Sequence, residues 1–191
     1  MRNDLRLFIA IPLPEKLCEQ LGQQGRDTVE ERHRVTWVRP EAMHLTLKFL
    51  GSTPSAKLAE LQDIVKRVVI RNPCADLSLA KPGVFRQKGI PRVLWWGLKG
   101  DVPQLVQLTS ELEKELTAAG FPKSEKPFKP HITLGRIKTA EPDMADPFLA
   151  ATLPLASQFA VESVELIQST LHPDGARYRV ISHFMLKTSV G

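Results

Sequence analysis

The chain has 191 residues, 42% of them hydrophobic and 25% charged. That is enough to bury a core without disulfide or metal staples, and it carries no collagen-like, coiled-coil or disordered bias. Twenty-six Lys and Arg stand against 21 Asp and Glu, a formal net charge of +5, an excess compatible with a phosphate-bearing partner but spread along the chain and selecting none.

Cys18 and Cys74 lie far apart, with neither the C-x-x-C of a zinc knuckle nor the spacing of a disulfide framework. The opening "MRNDLRLFIAIPLPEKL" has a basic start and an apolar run. The run is short, interrupted by Pro12 and Pro14, and lacks a small-residue cleavage site, so a first strand is the better reading than a signal peptide. No segment reaches membrane-spanning length. These features describe a soluble, cytoplasmic protein with no membrane association.

Residues 6–13, "RLFIAIPL", read as a buried strand. Residues 14–33 follow with helix formers behind Pro14. "VTWVRP" is a short strand stopped by Pro40, and "MHLTLKFLG" a strand ending at Gly51. In residues 54–72, Leu58, Leu61, Ile64, Val65 and Val68 recur at helical spacing before a basic last turn. Residues 75–85 and 92–100 are strand-like, separated by the loop "RQKGIPR". Residues 102–121 form an amphipathic helix striped by Leu105, Leu108, Leu112 and Leu116, with Gly120 as C-cap. "KSEKPFKP" is a loop, "HITLGRIK" a strand, and "TAEPDMADPF" a loop rich in proline and acid. "FAVESVELIQSTL" reads as one strand, joined through the turn "HPDGAR" to "YRVISHFML" as a hairpin. The fold class is α+β, with antiparallel strand pairs backed by helices and the order of elements duplicated.

Two of these strands share a pattern. Successive strand side chains alternate faces, so in "HLTLKF" His44 and Thr46 share one face while Leu45 and Leu47 point to the core. "HITLGR" repeats this with His131 and Thr133 outward and Ile132 and Leu134 inward. If the strands meet across a cleft, two imidazoles and two hydroxyls converge. Hydrolysis of a phosphodiester without a metal needs one group to activate water and another to protonate the departing oxygen. A neutral and a protonated histidine serve both roles near neutral pH. Threonine hydroxyls donate to non-bridging oxygens, and a cation balances their charge.

A single H-x-T is weak, since a lone strand histidine is usually structural. Two copies, each behind a proline-containing approach ("RPEAMHLTL", "FKPHITL"), are much harder to attribute to chance. Neither histidine has Asp, Glu or Cys at ligand spacing, which disfavours a metal site. Which histidine is acid and which base stays open on the residues alone.

The chain resembles the two-histidine (2H) phosphoesterase superfamily. Within it, "RLFIAIPLP", "WVRPEAMHLTLKFLG", "PRVLWWGL", "KPFKPHITLGR" and "GARYRV" are similar to the RNA 2′,3′-cyclic phosphodiesterases, the LigT-like or 2′-5′ RNA ligase family. The resemblance runs almost end to end. It implies one bilobal domain over 1–191, with two pseudo-symmetric antiparallel sheets flanking a groove, helices on the outer faces, and one H-x-T-x motif per lobe at 44–47 and 131–134. It implies metal-free, cofactor-free opening of an RNA 2′,3′-cyclic phosphate to a 2′-phosphate, and reversible 2′-5′ ligation as a secondary activity. His44 would be the proton donor and His131 the proton acceptor, with Thr46, Thr133 and Arg136 holding the phosphate. Arg136, at an odd offset from His131, reaches that face only if the strand bends, for which Gly135 offers the means.

Partners would be RNA with cyclic phosphate ends, tRNA fragments among them, or cyclic nucleotides, acted on by a monomer. The rivals are an enzyme of the same superfamily for small cyclic nucleotides or 2′-5′ oligonucleotides, and a non-catalytic module that binds RNA ends. Phe49 is odd-offset from His44 and is assigned to the core ahead of base stacking. Of Trp95 and Trp96, adjacent in a strand, only one can face inward, and Trp37 carries the same ambiguity. His33 and His183 are read as structural and His172 as a surface turn residue. Arg86, Lys88 and Arg92 form a basic loop, either solvated or guiding an RNA backbone.

Overall fold

A computed structural model of the chain describes residues 4–29, 34–138, 145–152, 158–172 and 175–188. A continuous apolar run, buried from Leu7 to Ile11, makes Asp4–Pro12 a strand, β1, which leads into helix α1 at Glu15–Thr28. The short β2, Val35–Trp37, ends in a 3-10 turn at Pro40–Ala42, and β3 runs from His44 to Pro54. Helix α2, Leu58–Val69, buries Leu61, Ile64, Val65 and Val68, the stripe read from the sequence. Strands β4, Ala75–Gln87, and β5, Ile90–Gly100, form a hairpin.

Helix α3, Val102–Ala118, begins with a proline in its first turn and buries Leu105, Leu108, Leu112 and Leu116. It stops where Gly120 takes φ 78, so that the Phe121 amide donates to the Leu116 carbonyl. Strand β6, His131–Ile137, the four-residue helix α4, Asp146–Leu149, and strands β7, Gln158–Val161, β8, Ser163–His172, and β9, Gly175–Met185, complete the chain.

The strands lie in the order β7-β4-β5-β6-β3-β1-β8-β9, with β2 on the free part of β6. Every pairing between them is antiparallel. Two half-sheets of four strands meet at β6 and β3, where the register holds one Cα pair, Leu45 with Ile132. The seam is narrow because the half-sheets diverge on either side of it. Helices α2 and α3 pack on each other, α2 also on β8 and β9, α3 on β3 and β4, and α1 on β6. Most of the core fills the space between helices and sheet, including Leu7, Ile9, Ile11, Leu45, Leu94, Trp96, Ile132 and Leu134. Phe8, Ala10 and Ile167 form a separate buried cluster. They alternate with Leu7, Ile9 and Leu166, so this second cluster lies on the opposite, groove-facing side of the sheet. Among the described residues, no helix is long and apolar enough to cross a membrane.

Three expectations change. Residues 159–171 are two strands, because the chain switches half-sheets at Glu162: β7 pairs with β4 and β8 with β1. The "RQKGIPR" segment is ordered as the tip of the β4–β5 hairpin. Its ladder runs to Gln87–Ile90, and Lys88 and Gly89 turn with φ 49 and 79, the paired positive angles of a two-residue hairpin turn. The end of "TAEPDMADPF" is helix α4, while residues 139–144 lie outside the described residues. So do His33 and the Pro173–Asp174 tip of the last hairpin.

Candidate active site

The two histidine strands are built alike. Along "HLTLKFL" and "HITLGRI" the burial sequence is the same: half-buried, buried, half-buried, buried, buried, exposed, buried. The two consecutive buried positions mark a bulge in each strand. Opposite β1, the partners step from Lys48 to Thr46 while β1 moves one residue, leaving Leu47 as the extra residue. Opposite β5, they step from Gly135 to Thr133, leaving Leu134. A bulge reverses the alternation beyond it. Residues five after each histidine therefore return to the groove side, and these are Phe49 and Arg136.

Antiparallel pairing about Leu45–Ile132 sets His44 toward the Thr133 end of the seam and Thr46 toward the His131 end. Leu45 and Ile132 are fully buried, so the four polar side chains share the opposite face. The His44 Nδ1 lies 2.9 Å from the Ala42 carbonyl oxygen, and the His131 Nδ1 lies 2.6 Å from that of Lys129. A carbonyl only accepts, so both rings carry their proton on Nδ1 and keep Nε2 for chemistry. The residue two before each histidine supplies that carbonyl. In one case it ends the 3-10 turn, and in the other it precedes Pro130, which holds Lys129 extended.

Burial pushes the His44 pKa below its ordinary value, against the pull of the Ala42 carbonyl, and charge on His131 pushes it down further. Burial lowers His131 too, again opposed by its carbonyl partner, with Lys129 and Arg136 adding to the fall. The two imidazoles thus sense each other, and Arg136 acts on His131. Among the described residues, no three His, Cys, Asp or Glu side chains converge as metal ligands.

Each ring sits in an aromatic setting. His44 is 4.8 Å from Phe8 and 5.3 Å from Tyr178 between centroids, while His131 is 4.9 Å from Phe85 and 6.1 Å from Trp95. Phe85 and Trp95 stack, and Lys129 lies 4.3 Å above the Trp95 ring. Trp95 therefore faces the site. Trp96 is fully buried with its Nε1–H donating to Ala80, and Trp37 is half-buried against Gly25 and Gly135.

The core assignment of Phe49 is overturned. Phe49 is 61% exposed and 5.7 Å from Phe8, because the bulge at Leu47 moves it off the core face. The offset of five applied to Arg136 would have found it from the sequence. Tyr178 carried no sequence signal, since its neighbourhood to His44 depends on how β9 lies in the sheet. His183 is exposed and pairs with Glu165 at 3.3 Å, and His172 is exposed at the hairpin end.

A family model described as the 2′-5′ RNA ligase superfamily matches residues 13–173. The chain is 34% identical over 177 residues to the RNA 2′,3′-cyclic phosphodiesterase of Thermotoga maritima, covering 93% of each chain. It is 32% identical over 193 residues to that of Thermus thermophilus, covering 98% of this chain and 93% of the relative. Among solved structures, E. coli LigT in apo form superposes with TM-score 0.79 at 29% identity, over 96% of this chain and 98% of that one. TT0787 of Thermus thermophilus gives 0.77 at 29% identity, over 97% and 100%. The match spans both histidine strands and the sheet that holds them, and the chain belongs to the 2′-5′ RNA ligase superfamily, a family of two-histidine phosphoesterases.

Proposed function

We propose that the protein hydrolyses 2′,3′-cyclic phosphates at RNA 3′ ends to 2′-phosphomonoesters by paired-histidine acid–base catalysis. The observation that carries this reading is the duplicated half-site: two imidazoles, each held through Nδ1 by a carbonyl two residues back, on strands that meet at one buried register pair. The names of the relatives and the LigT likeness support the substrate class.

In the reaction, His131 Nε2 takes a proton from water as its oxygen attacks phosphorus. The P–O3′ bond breaks, and His44 gives the Nε2 proton to the departing 3′ oxygen. Thr46 and Thr133 donate to the non-bridging oxygens, and Arg136 balances their charge. With the 5′ hydroxyl of a second strand replacing water, His131 takes its proton as the oxygen attacks phosphorus. The P–O3′ bond breaks with the His44 proton going to the 3′ oxygen, and a 2′-5′ linkage results.

Two asymmetries support these acid and base roles. The leaving oxygen belongs to the nucleoside, and the apolar wall that suits a nucleoside, Phe49 and Tyr178 over Phe8, is beside His44. Burial lowers the pKa of both rings, and at His131 the cations Lys129 and Arg136 add to the fall, as suits a base. Each half of the chain supplies one imidazole, so the whole chain acts as one domain and a monomer suffices. The substrate places the activity in the cytoplasm.

The test is incubation in EDTA with an RNA ending in a 2′,3′-cyclic phosphate. Wild type yields only the 2′-phosphate, and His44→Ala and His131→Ala each lose at least a hundredfold in kcat, the contribution expected of a positioned acid or base. Turnover that persists in both variants, or a 3′-phosphate product, rules the mechanism out.

A further inference from the structure

The groove face is electrically lopsided. From Leu77 to Gly100 the chain carries Lys81, Arg86, Lys88, Arg92 and Lys99 and no acid. From Lys126 to Ala140 it carries Lys126, Lys129, Arg136 and Lys138, again without an acid. Both segments belong to the half-sheet that bears His131.

The register sorts these cations by face. Thr36, Arg136, Val93 and Phe85 stand in one row across β2, β6, β5 and β4. Cross-strand partners share a face, and Phe85 touches His131, so this row opens toward the site. Two residues past Arg136, the Lys138 amide donates to the Arg34 carbonyl. Arg34, Thr36, Arg136 and Lys138 are exposed, whereas the alternating Val35, Trp37 and Ile137 turn toward the core. Arg86 follows Phe85 directly on β4 and pairs with Pro91 past a bulge at Arg92, so it points away from this row; it is exposed at the hairpin tip with its Nη1 donating to the Gly89 carbonyl.

Among the described residues, none of Arg34, Arg86, Arg136 and Lys138 is held by a carboxylate. Beside His44 the corresponding face of the other half-sheet is apolar, with Phe8, Ala10 and Ile167 beneath exposed Phe49, Tyr178 and Val180, and Arg6 stands farther along it.

We propose that Arg34 and Lys138 continue from Arg136 as a track for the phosphodiester backbone of the RNA strand that leads up to the cyclic end. This rests on the reading given under Proposed function and narrows it: the substrate is an RNA terminus, and a mononucleotide cyclic phosphate uses only the centre. The seven-residue rise from His131 to Lys138 spans about 20 Å of strand, room for several nucleotides. Phosphates neutralised by clustered cations shed their condensed counterions, which makes such binding steeply salt-dependent.

The experiment compares wild type with the Arg34→Ala/Lys138→Ala variant, two exposed positions outside the reaction centre. Substrates are a ten-nucleotide RNA ending in a 2′,3′-cyclic phosphate and 2′,3′-cyclic AMP. The expected result is a KM for the RNA raised about tenfold at 0.1 M KCl with kcat unchanged, and no change in either constant for cyclic AMP. With about 0.7 counterion per phosphate on a single strand, the log–log salt slope of the RNA falls by about 1.4 for the two lost contacts. Equal losses on both substrates, or an unmoved KM for the RNA, overturn the track.

A second reading needs no turnover. The anisotropy of a labelled ten-nucleotide RNA with a 2′-phosphate end should report about tenfold weaker binding to the double variant. If wild type cleaves neither substrate, the proposed hydrolysis fails, and the anisotropy still decides the track. Equal binding by wild type and variant overturns it.

Discussion

Both imidazoles of the proposed acid–base pair start from a disadvantage that a bound anion removes. Burial and neighbouring charge hold His44 and His131 below their ordinary 6.5, so near neutral pH the free protein carries both rings uncharged. A phosphate diester between them stabilises the charged form of either ring, and the acid is then protonated in the complex. The acid limb of kcat/KM, which reports free groups, should therefore lie below pH 6.5, and the limb of kcat that reports His44 should move upward; identical limbs would contradict this. The same depression has a stability consequence. Above pH 6.5 the rings are neutral in both folded and unfolded chains. As pH falls below 6.5, the unfolded chain takes up protons first, so stability drops until the folded pKa values are passed. Urea midpoints measured from pH 7 to pH 5 should fall further in wild type than in a His44→Asn/His131→Asn variant; equal slopes would contradict it. Phe49 is a separate case at this scale. Because it is 61% exposed, Phe49→Ala should leave Tm nearly unchanged. If the base stacks there, the loss is about 1–3 kcal/mol, read as roughly a tenfold rise in KM for cyclic AMP at constant kcat.

Between elements, one buried polar tie is not used by the proposed mechanism. Lys48 directly follows the first bulge, is 3% exposed, and donates to Glu113 on α3 at 2.6 Å and to the Pro122 carbonyl at 2.8 Å. Ser124 also donates to Glu113, through its amide at 2.7 Å and its hydroxyl at 2.7 Å. Burial would raise the Glu113 pKa, but the Lys48 hydrogen bond and those from Ser124 hold it at about 2. The cluster ties the first histidine strand to the loop that leads to the second. Glu113→Ala leaves a buried ammonium unpaired and should cost about 3 kcal/mol, the low end for a broken buried pair because Glu113 stays partly hydrated; a loss under 1 kcal/mol by urea titration would contradict this. Because the folded pKa is depressed, that stabilisation is present above the ordinary 4.5 and disappears as pH falls toward 2, a window well apart from that of the histidines. This tie was not legible in the sequence. A strand lysine reads as solvated, and only the bulge at Leu47 turns it inward. The helices were legible from their leucine stripes, and the half-sites from strict alternation before each bulge. Beyond the bulges alternation misleads, which is why Phe49 was misread and why Arg136 needed a bend to reach its face.

The two half-sites come from strands 87 positions apart, counted from His44 to His131, and the molecule aligns them through one register pair. Sequence periodicity placed each histidine on a face, but it carried no information about that seam, because which strands adjoin is decided by packing of the whole sheet. Leu45 and Ile132 are both fully buried there. Leu45→Ala should cost about 2–5 kcal/mol, as large-to-small core changes do. Leu79→Ala, equally buried in β4 away from the seam, should cost a similar amount and serves as the control. The two should part in activity. Acid and base must both lie within hydrogen-bonding reach of one phosphate, and shifts of about 1 Å between groups on different strands can cost a hundredfold. Measured per folded molecule well below the unfolding midpoint, Leu79→Ala should keep near-wild-type kcat, whereas Leu45→Ala should lose ten- to a hundredfold in kcat with a smaller change in KM. Equal activity in the two variants would mean that the seam only stabilises the fold, and that the half-sites are aligned by the Lys48 tie and the flanking strands instead.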